Sequence, residues 1–352
     1  MKKIIYLLFC LPFLFTACDV HEWPDTPETV KFHLRLNYET DMTEWFHLYD
    51  GERVVEQGYG ETYDNHLSHG QVRYIVRAFP VMEKNRTTSD YTKEFTFSKN
   101  ISDGYNHEVT LELPGGEYNI MVWSDLVKNA HDNYFYHAEK FSDIRLQGEH
   151  APNNDHRDAF RGTNNITLIA DVMEHLPDTL DIKMERPKAK FEIITNDVVE
   201  FVEKEVLRVA SKANGNRPES EEDTEKRVVN IEDYKLVFYY VGFMPNAFSI
   251  HTDKPVDSAT GIFFESKLKK ISESEAIMGF DYVLVDKNES IITIKIGVLD
   301  SDGEQLTITE PIAIPIKRDH HTLLSGMFLM SEASGGVTIN PEFDGDHNLI
   351  FP

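Results

Sequence analysis

Cysteine is nearly missing from this chain. Its 352 residues include two, Cys10 and Cys18, both near the start. The remainder can form no disulfide and no thiolate metal site, and it holds no cysteine nucleophile, so core burial alone must stabilise it. Positive charge is scarce as well: 35 Lys and Arg stand against 60 Asp and Glu, a net charge of −25. That balance argues against nucleic acid as a partner, because phosphate binding needs concentrated Lys and Arg, and it argues equally against adhesion to anionic lipid. No G-x-S-x-G elbow, phosphate-cradling G-x-x-x-x-G-K-[ST], H-E-x-x-H or G-x-G-x-x-G is present. Sixty carboxylates leave a glycosidase-like pair open, with nothing to mark any two of them. The reading is therefore of a protein without enzymatic activity and without a cofactor.

Long apolar runs are also lacking, except at the very start. Met1-Lys2-Lys3 precedes the apolar stretch Ile4–Phe15, which is too short to span a bilayer and has the layout of a secretory signal. The small residues Thr16 and Ala17 lead directly into Cys18. Phe15-Thr16-Ala17-Cys18 resembles the lipobox of bacterial lipoproteins, with Phe15 where Leu is commonest. The resemblance implies that residues 1–17 are a lipoprotein signal peptide and that Cys18 is acylated, for example with palmitate, as the new N-terminus. Loss of Lys2 and Lys3 would leave 33 basic against 60 acidic residues, a net of −27. Residues 18–29, with two prolines and no periodicity, read as a tether.

Beyond the tether the pattern is that of strands. Val30, Phe32, Leu34 and Leu36 alternate with Lys31, His33 and Arg35. Further strands are expected at 71–80, 92–101, 164–171, 180–186, 188–195, 234–243, 281–286, 323–330 and 335–343. Pro114-Gly115-Gly116 reads as the turn of a hairpin within 108–125, and Asp300-Ser301-Asp302-Gly303 as the turn of another within 291–316. Residues 197–216 shift to helical spacing, with Asp197 placed as N-cap and Gly215 as the stop. Residues 126–163 read as an irregular polar insertion, and 216–227, without an apolar side chain, as a disordered loop. The expected fold class is mainly β, two tandem β-sandwich domains with one short helix in the second: an N-terminal domain at 30–183 and a C-terminal domain at 184–352.

Candidate ligand residues are few. Asp300 and Asp302 alternate like the opening of a calcium loop, but its twelfth position is Pro311, so a hairpin turn is favoured. His131, His137, His150 and His156 lie in the insertion without metal-ligand spacing, and His320-His321 would point to opposite faces of a strand. No metal is expected. Trp45-Phe46, Tyr134-Phe135-Tyr136 and Phe238-Tyr239-Tyr240 could stack on sugar rings, although those in strands read better as core. Tyr134 and Tyr136, in the insertion, are the expected exposed pair and the candidate ligand contacts.

Taken together, the lipobox at Cys18, "LPGGEYNIMVWSD" (113–125), "MERPKAKFEII" (184–194) and "PIKRDHHTLLSGMFLM" followed by "GGVTINPEF" (315–343) resemble the FimB-like fimbrial anchor, or minor fimbrillin, lipoproteins of type V fimbriae. The resemblance implies transthyretin-like sandwiches held by lipid on the cell outer membrane, surface-exposed, with other fimbrial subunits as partners through strand donation. The short run after Phe343 favours an anchor or cap over a stalk subunit. A glycan or host protein is the further candidate partner, and a surface glycan-binding lipoprotein serving nutrient capture is the alternative reading.

Overall fold

The structure, a computed structural model, describes residues 29–40, 42–49, 52–53, 70–82, 86–87, 90–128, 134–148, 150–169, 179–214 and 229–330. Cys18, the tether up to residue 28, the loop 216–227, Gly215 and the strand expected at 335–343 lie outside them. In the first half of the chain the strands are β1 (Thr29–Tyr38), β2 (Thr43–Tyr49), β3 (Glu52–Arg53), β4 (Gln71–Met82), β5 (Arg86–Thr87) and β6 (Lys93–Asn100). They continue with β7 (His107–Pro114), β8 (Gly116–Val127), β9 (Tyr136–His137), β10 (Ile144–Leu146), β11 (Ala159–Leu168) and β12 (Thr179–Met184). The second half opens with β13 (Lys188–Thr195) and the helix α1 (Val198–Asn214). Then come β14 (Lys235–Tyr240), β15 (Phe243–Ser249), β16 (Lys254–Thr260), β17 (Phe263–Lys267), β18 (Lys269–Lys270), β19 (Ala276–Leu284), β20 (Ser290–Leu299), β21 (Gln305–Ile308), β22 (Ile312–Ile316) and β23 (His320–Gly326).

These strands build two β-sandwiches in tandem. In the first, the sheet β12-β1-β7 faces a sheet formed by β11, β8, β4 and β6. The alternation that marks β1 is what fills the space between them: Phe32, Leu34 and Leu36 are fully buried against Val76, Val122 and Ile182. Gly162 on β11 sits where the sheets close. A Cβ there would lie 2.7 Å from Met184 Sδ and 2.8 Å from Lys183 O on β12, closer than real contacts allow. In the second sandwich, the sheet β18-β19-β13-β23-β2-β3 faces β17, β14, β20, β21 and β22. Phe191, Phe238, Ile294 and Ile314 fill its interior, and α1 adds Val198 and Phe201. Among the described residues α1 is the one α-helix, and none is long and apolar enough to cross a membrane.

Four features depart from the sequence reading. First, Pro114-Gly115-Gly116 does not close a hairpin, because β7 pairs with β1 whereas β8 pairs with β4 and β11. The reversal carries the chain from one sheet to the other, and turn residues specify a reversal without specifying its axis. Second, the insertion is no polar excursion. It contains β9, β10 and part of β11, and it buries Phe135, Tyr136, Phe141 and Ile144 with Trp123 and Ile250. Third, β10 pairs with β15 of the second half, giving the shared sheet β16-β15-β10-β9. The strand β2 likewise pairs in parallel with β23. Fourth, Asp197 does stand at the helix start as expected, its carbonyl accepting from Phe201 N–H, but its carboxylate is engaged elsewhere. Its carboxylate accepts from the backbone N–H groups of Leu329 and Met330 at 3.3 and 2.8 Å, tying down the end of the described chain.

Candidate functional site

Two regions concentrate polar groups or unpaired backbone: the seam between the halves, and the strand edges of the first sandwich. The seam is built on the 3-10 turn Asp155–Arg157, which Asn154 caps by accepting from His156 N–H. Asp281 on β19 is fully buried and collects donors from both halves. His150 Nε2 lies 2.5 Å from its Oδ2, Tyr240 Oη donates at 2.6 Å, and Arg157 pairs with its Oδ1. Burial pushes this carboxyl upward, but Arg157 and His150 outweigh it and hold the group well below the usual carboxylate range.

Lys188 on β13 is buried in the same seam and donates to Arg157 O, with its ammonium 4.4 Å from the Tyr136 ring centroid. Burial drives its amine down to about 7, against the opposing pull of Asp281 and Asp125. Arg186 bonds Asp158 at 2.8 Å, Asp319 at 2.9 Å and the carbonyl of Thr40. Asp253 receives Arg161 at 2.6 Å and Arg318 at 3.0 Å. Almost every pair joins residues far apart in sequence. With both oxygens of the fully buried Asp281 taken by donors, the His–Asp–Tyr trio works as a clamp between the halves.

The sequence-picked residues fall as follows. Tyr136 is 1% exposed, donates 2.6 Å to Arg157 O and lies edge-on to Trp123, so its expected exposure is corrected: the ring belongs to the seam. Tyr134 is half-buried, packed on Phe135 beneath Lys128. His150, expected in a solvated loop, is the partner of Asp281. The Asp300 turn does join β20 to β21, and its carboxylate is filled by the N–H groups of Asp302 and Glu304 and by Arg208. His320 bonds Arg318 O, and His321 lies 3.4 Å from Glu192. Among the described residues no group of His, Cys, Asp and Glu is arranged to hold a metal.

The edges are the second region. β1 is central in its sheet, parallel to β12 and antiparallel to β7. Among the described residues, β7 pairs with nothing beyond β1, and β6 pairs with nothing beyond β4. The two edges are linked on one flank, where Lys93 Nζ of β6 donates 3.1 Å to the Glu112 carbonyl of β7. On the other flank the bridge between Arg161 and Glu185 brings β11 to β12 and closes the sandwich. An edge of this kind presents unpaired N–H and C=O groups that can template another strand, and an edge lysine is one way of limiting such pairing.

A family model described as a family of unknown function (DUF6562) matches residues 24–352, and the chain belongs to that family. No curated protein matches. Similar solved structures include the fimbrial anchor protein Mfa2 from Porphyromonas gingivalis, at 11% identity over 79% of this chain and 82% of that one, with a TM-score of 0.36. A fimbrial assembly protein from Parabacteroides distasonis shows 12% identity over 88% and 94%, with a TM-score of 0.38. The tip fimbrial protein Mfa3 from Porphyromonas gingivalis shows 10% identity over 82% and 81%, with a TM-score of 0.34. Overlaps this loose carry no inference about what the chain does.

Proposed function

We propose that this member of the family is a non-enzymatic fimbrial accessory or adhesion protein, held on the outer membrane by lipid at Cys18 and joined to a neighbouring subunit by strand complementation. The observation that supports it best is the flank of the first sandwich where, among the described residues, β6 and β7 both end their sheets. There the Glu112 carbonyl is met by the Lys93 side chain, in the place where a strand amide could stand. An added strand would extend the β12-β1-β7 ladder, with main-chain hydrogen bonds supplying affinity and alternate side chains supplying register. The lipobox at Cys18 and the proline-containing tether to Thr29 supply the membrane end of the same arrangement.

Deleting the gene and measuring fimbrial protein on cells and in the medium tests this. Fibres shed into the medium, or grown abnormally long, support an anchor or cap. Unchanged fibres remove the reading. Cys18→Ala should block incorporation of labelled fatty acid, and label still entering that variant would overturn the lipid assignment.

A further inference from the structure

The second sandwich carries large apolar side chains on an outward face of its strands. β14 and β17 pair antiparallel with Tyr239 opposite Phe263. The ribbon continues through the bond from Tyr240 N–H to Ile262 O, and then into β15 and β16 with Phe243 opposite Thr260. Gly242 and Gly261, both at positive φ, lie where it passes from one sheet to the next. Strand alternation turns Phe238, Tyr240 and Phe264 into the core, which leaves the intervening positions to solvent. Those positions are not polar: Tyr239 is 37% exposed, Val241 45%, Phe243 62% and Phe263 57%. The Tyr239 and Phe263 ring centroids lie 6.3 Å apart at a tilt of 36°. Exposed aromatic clusters on a sheet face mark a binding surface more often than chance.

The charge around the ribbon restricts what can bind. In an acidic chain, the stretches 239–243 and 259–264 contain no carboxylate. The next along the chain, Glu265, is paired with Lys235 at 2.9 Å. Lys295 is the partner of Tyr239 on its other side, and Thr260 faces Phe243, so hydrogen-bonding groups border the rings. We infer that Tyr239 and Phe263 form a stacking platform for a neutral polysaccharide, whose apolar C–H faces lie on the rings while its hydroxyls meet the bordering polar side chains. The overall negative charge repels uronate and phosphate polymers and leaves uncharged sugars unaffected. The platform lies on the second sandwich, away from the β6–β7 flank, so it stands or falls separately from strand complementation.

The test titrates the full-length protein in detergent with gluco-, manno- and galacto-oligosaccharides and with polygalacturonate, by calorimetry and tyrosine fluorescence. Saturable binding of a neutral series, unchanged at high salt, is expected. Tyr239→Thr and Phe263→Thr should each weaken it about tenfold, which corresponds to loss of an aromatic contact of about 1.4 kcal/mol. Threonine suits an exposed strand, so both variants should keep the parent melting temperature. The exposed Tyr91→Ala, on the first sandwich, should bind as the parent does. Failure of every neutral series at millimolar concentration overturns the inference, as does equal binding by both threonine variants. Self-association that both variants abolish, without sugar binding, also overturns it and makes the ribbon a contact between copies.

Discussion

Inside the first sandwich, from Phe32 to Met184, the packed surfaces are apolar almost throughout. The seam between the halves has a comparable degree of burial and the opposite chemistry, with Asp281, Arg157, Lys188, Arg186 and Asp158 all withdrawn from water. The apolar core tolerates approximate fit, since its contacts are non-directional and scale with area. The seam does not. Each charge there is stabilised only while its partner is in place, and loss of one partner leaves the other buried and unpaired. The sandwiches thus make the fold, and the seam fixes how one half meets the other.

Substitution at Asp281 should expose this contrast most strongly. Asp281→Ala strands Arg157, and a loss of roughly 3–5 kcal/mol is expected from urea unfolding. Leu34→Ala, in the apolar core, should cost roughly 2–5 kcal/mol. The two separate by their dependence on pH. The folded-state carboxyl of Asp281 is held below its unfolded value, so its stabilisation is present above the ordinary carboxylate pKa and is lost as pH falls below it. Asp281→Ala should flatten that acid limb, whereas Leu34→Ala should lower stability equally at every pH. Gly162→Ala comes next, at roughly 1–3 kcal/mol, because the added methyl meets β12 and forces the sheets apart.

Lys188 gives a smaller effect of the same sign in pH, displaced from the acid to the alkaline range. Its folded amine is depressed to about 7 by burial, so between about 7 and the ordinary lysine value the unfolded chain binds more protons. Stability should therefore rise with pH through that window, and Lys188→Met should abolish the rise in a series of melting curves. The smallest effect belongs to the surface. Lys183 and Glu39 pair at 3.0 Å with both side chains more than half exposed, and Lys183→Ala should leave the urea midpoint unmoved.

What could be read in advance follows the same division. The alternation of Phe32, Leu34 and Leu36, the strand at 188–195 and the Asp300 turn are local patterns, and local patterns survive into structure. The seam was not legible, because its pairs join residues such as His150 and Asp281 that no periodicity links. Tyr136 was expected outside because its neighbours are polar, yet a few aromatics among polar residues were enough to build a core. Tyr239 was within reach. Placing Phe238 and Tyr240 in the core requires the residue between them to face out, and strand parity alone would have said so.

The position of β1 has a mechanical consequence. A pull on the chain ahead of Thr29 acts along the axis of a strand that is registered with Thr179–Met184 on one side and with Pro114 to His107 on the other. Force in that direction cannot peel the ladders apart one bond at a time. It must slide the strand past both neighbours together, dragging three buried apolar side chains out of their places, so the first sandwich meets tension in shear.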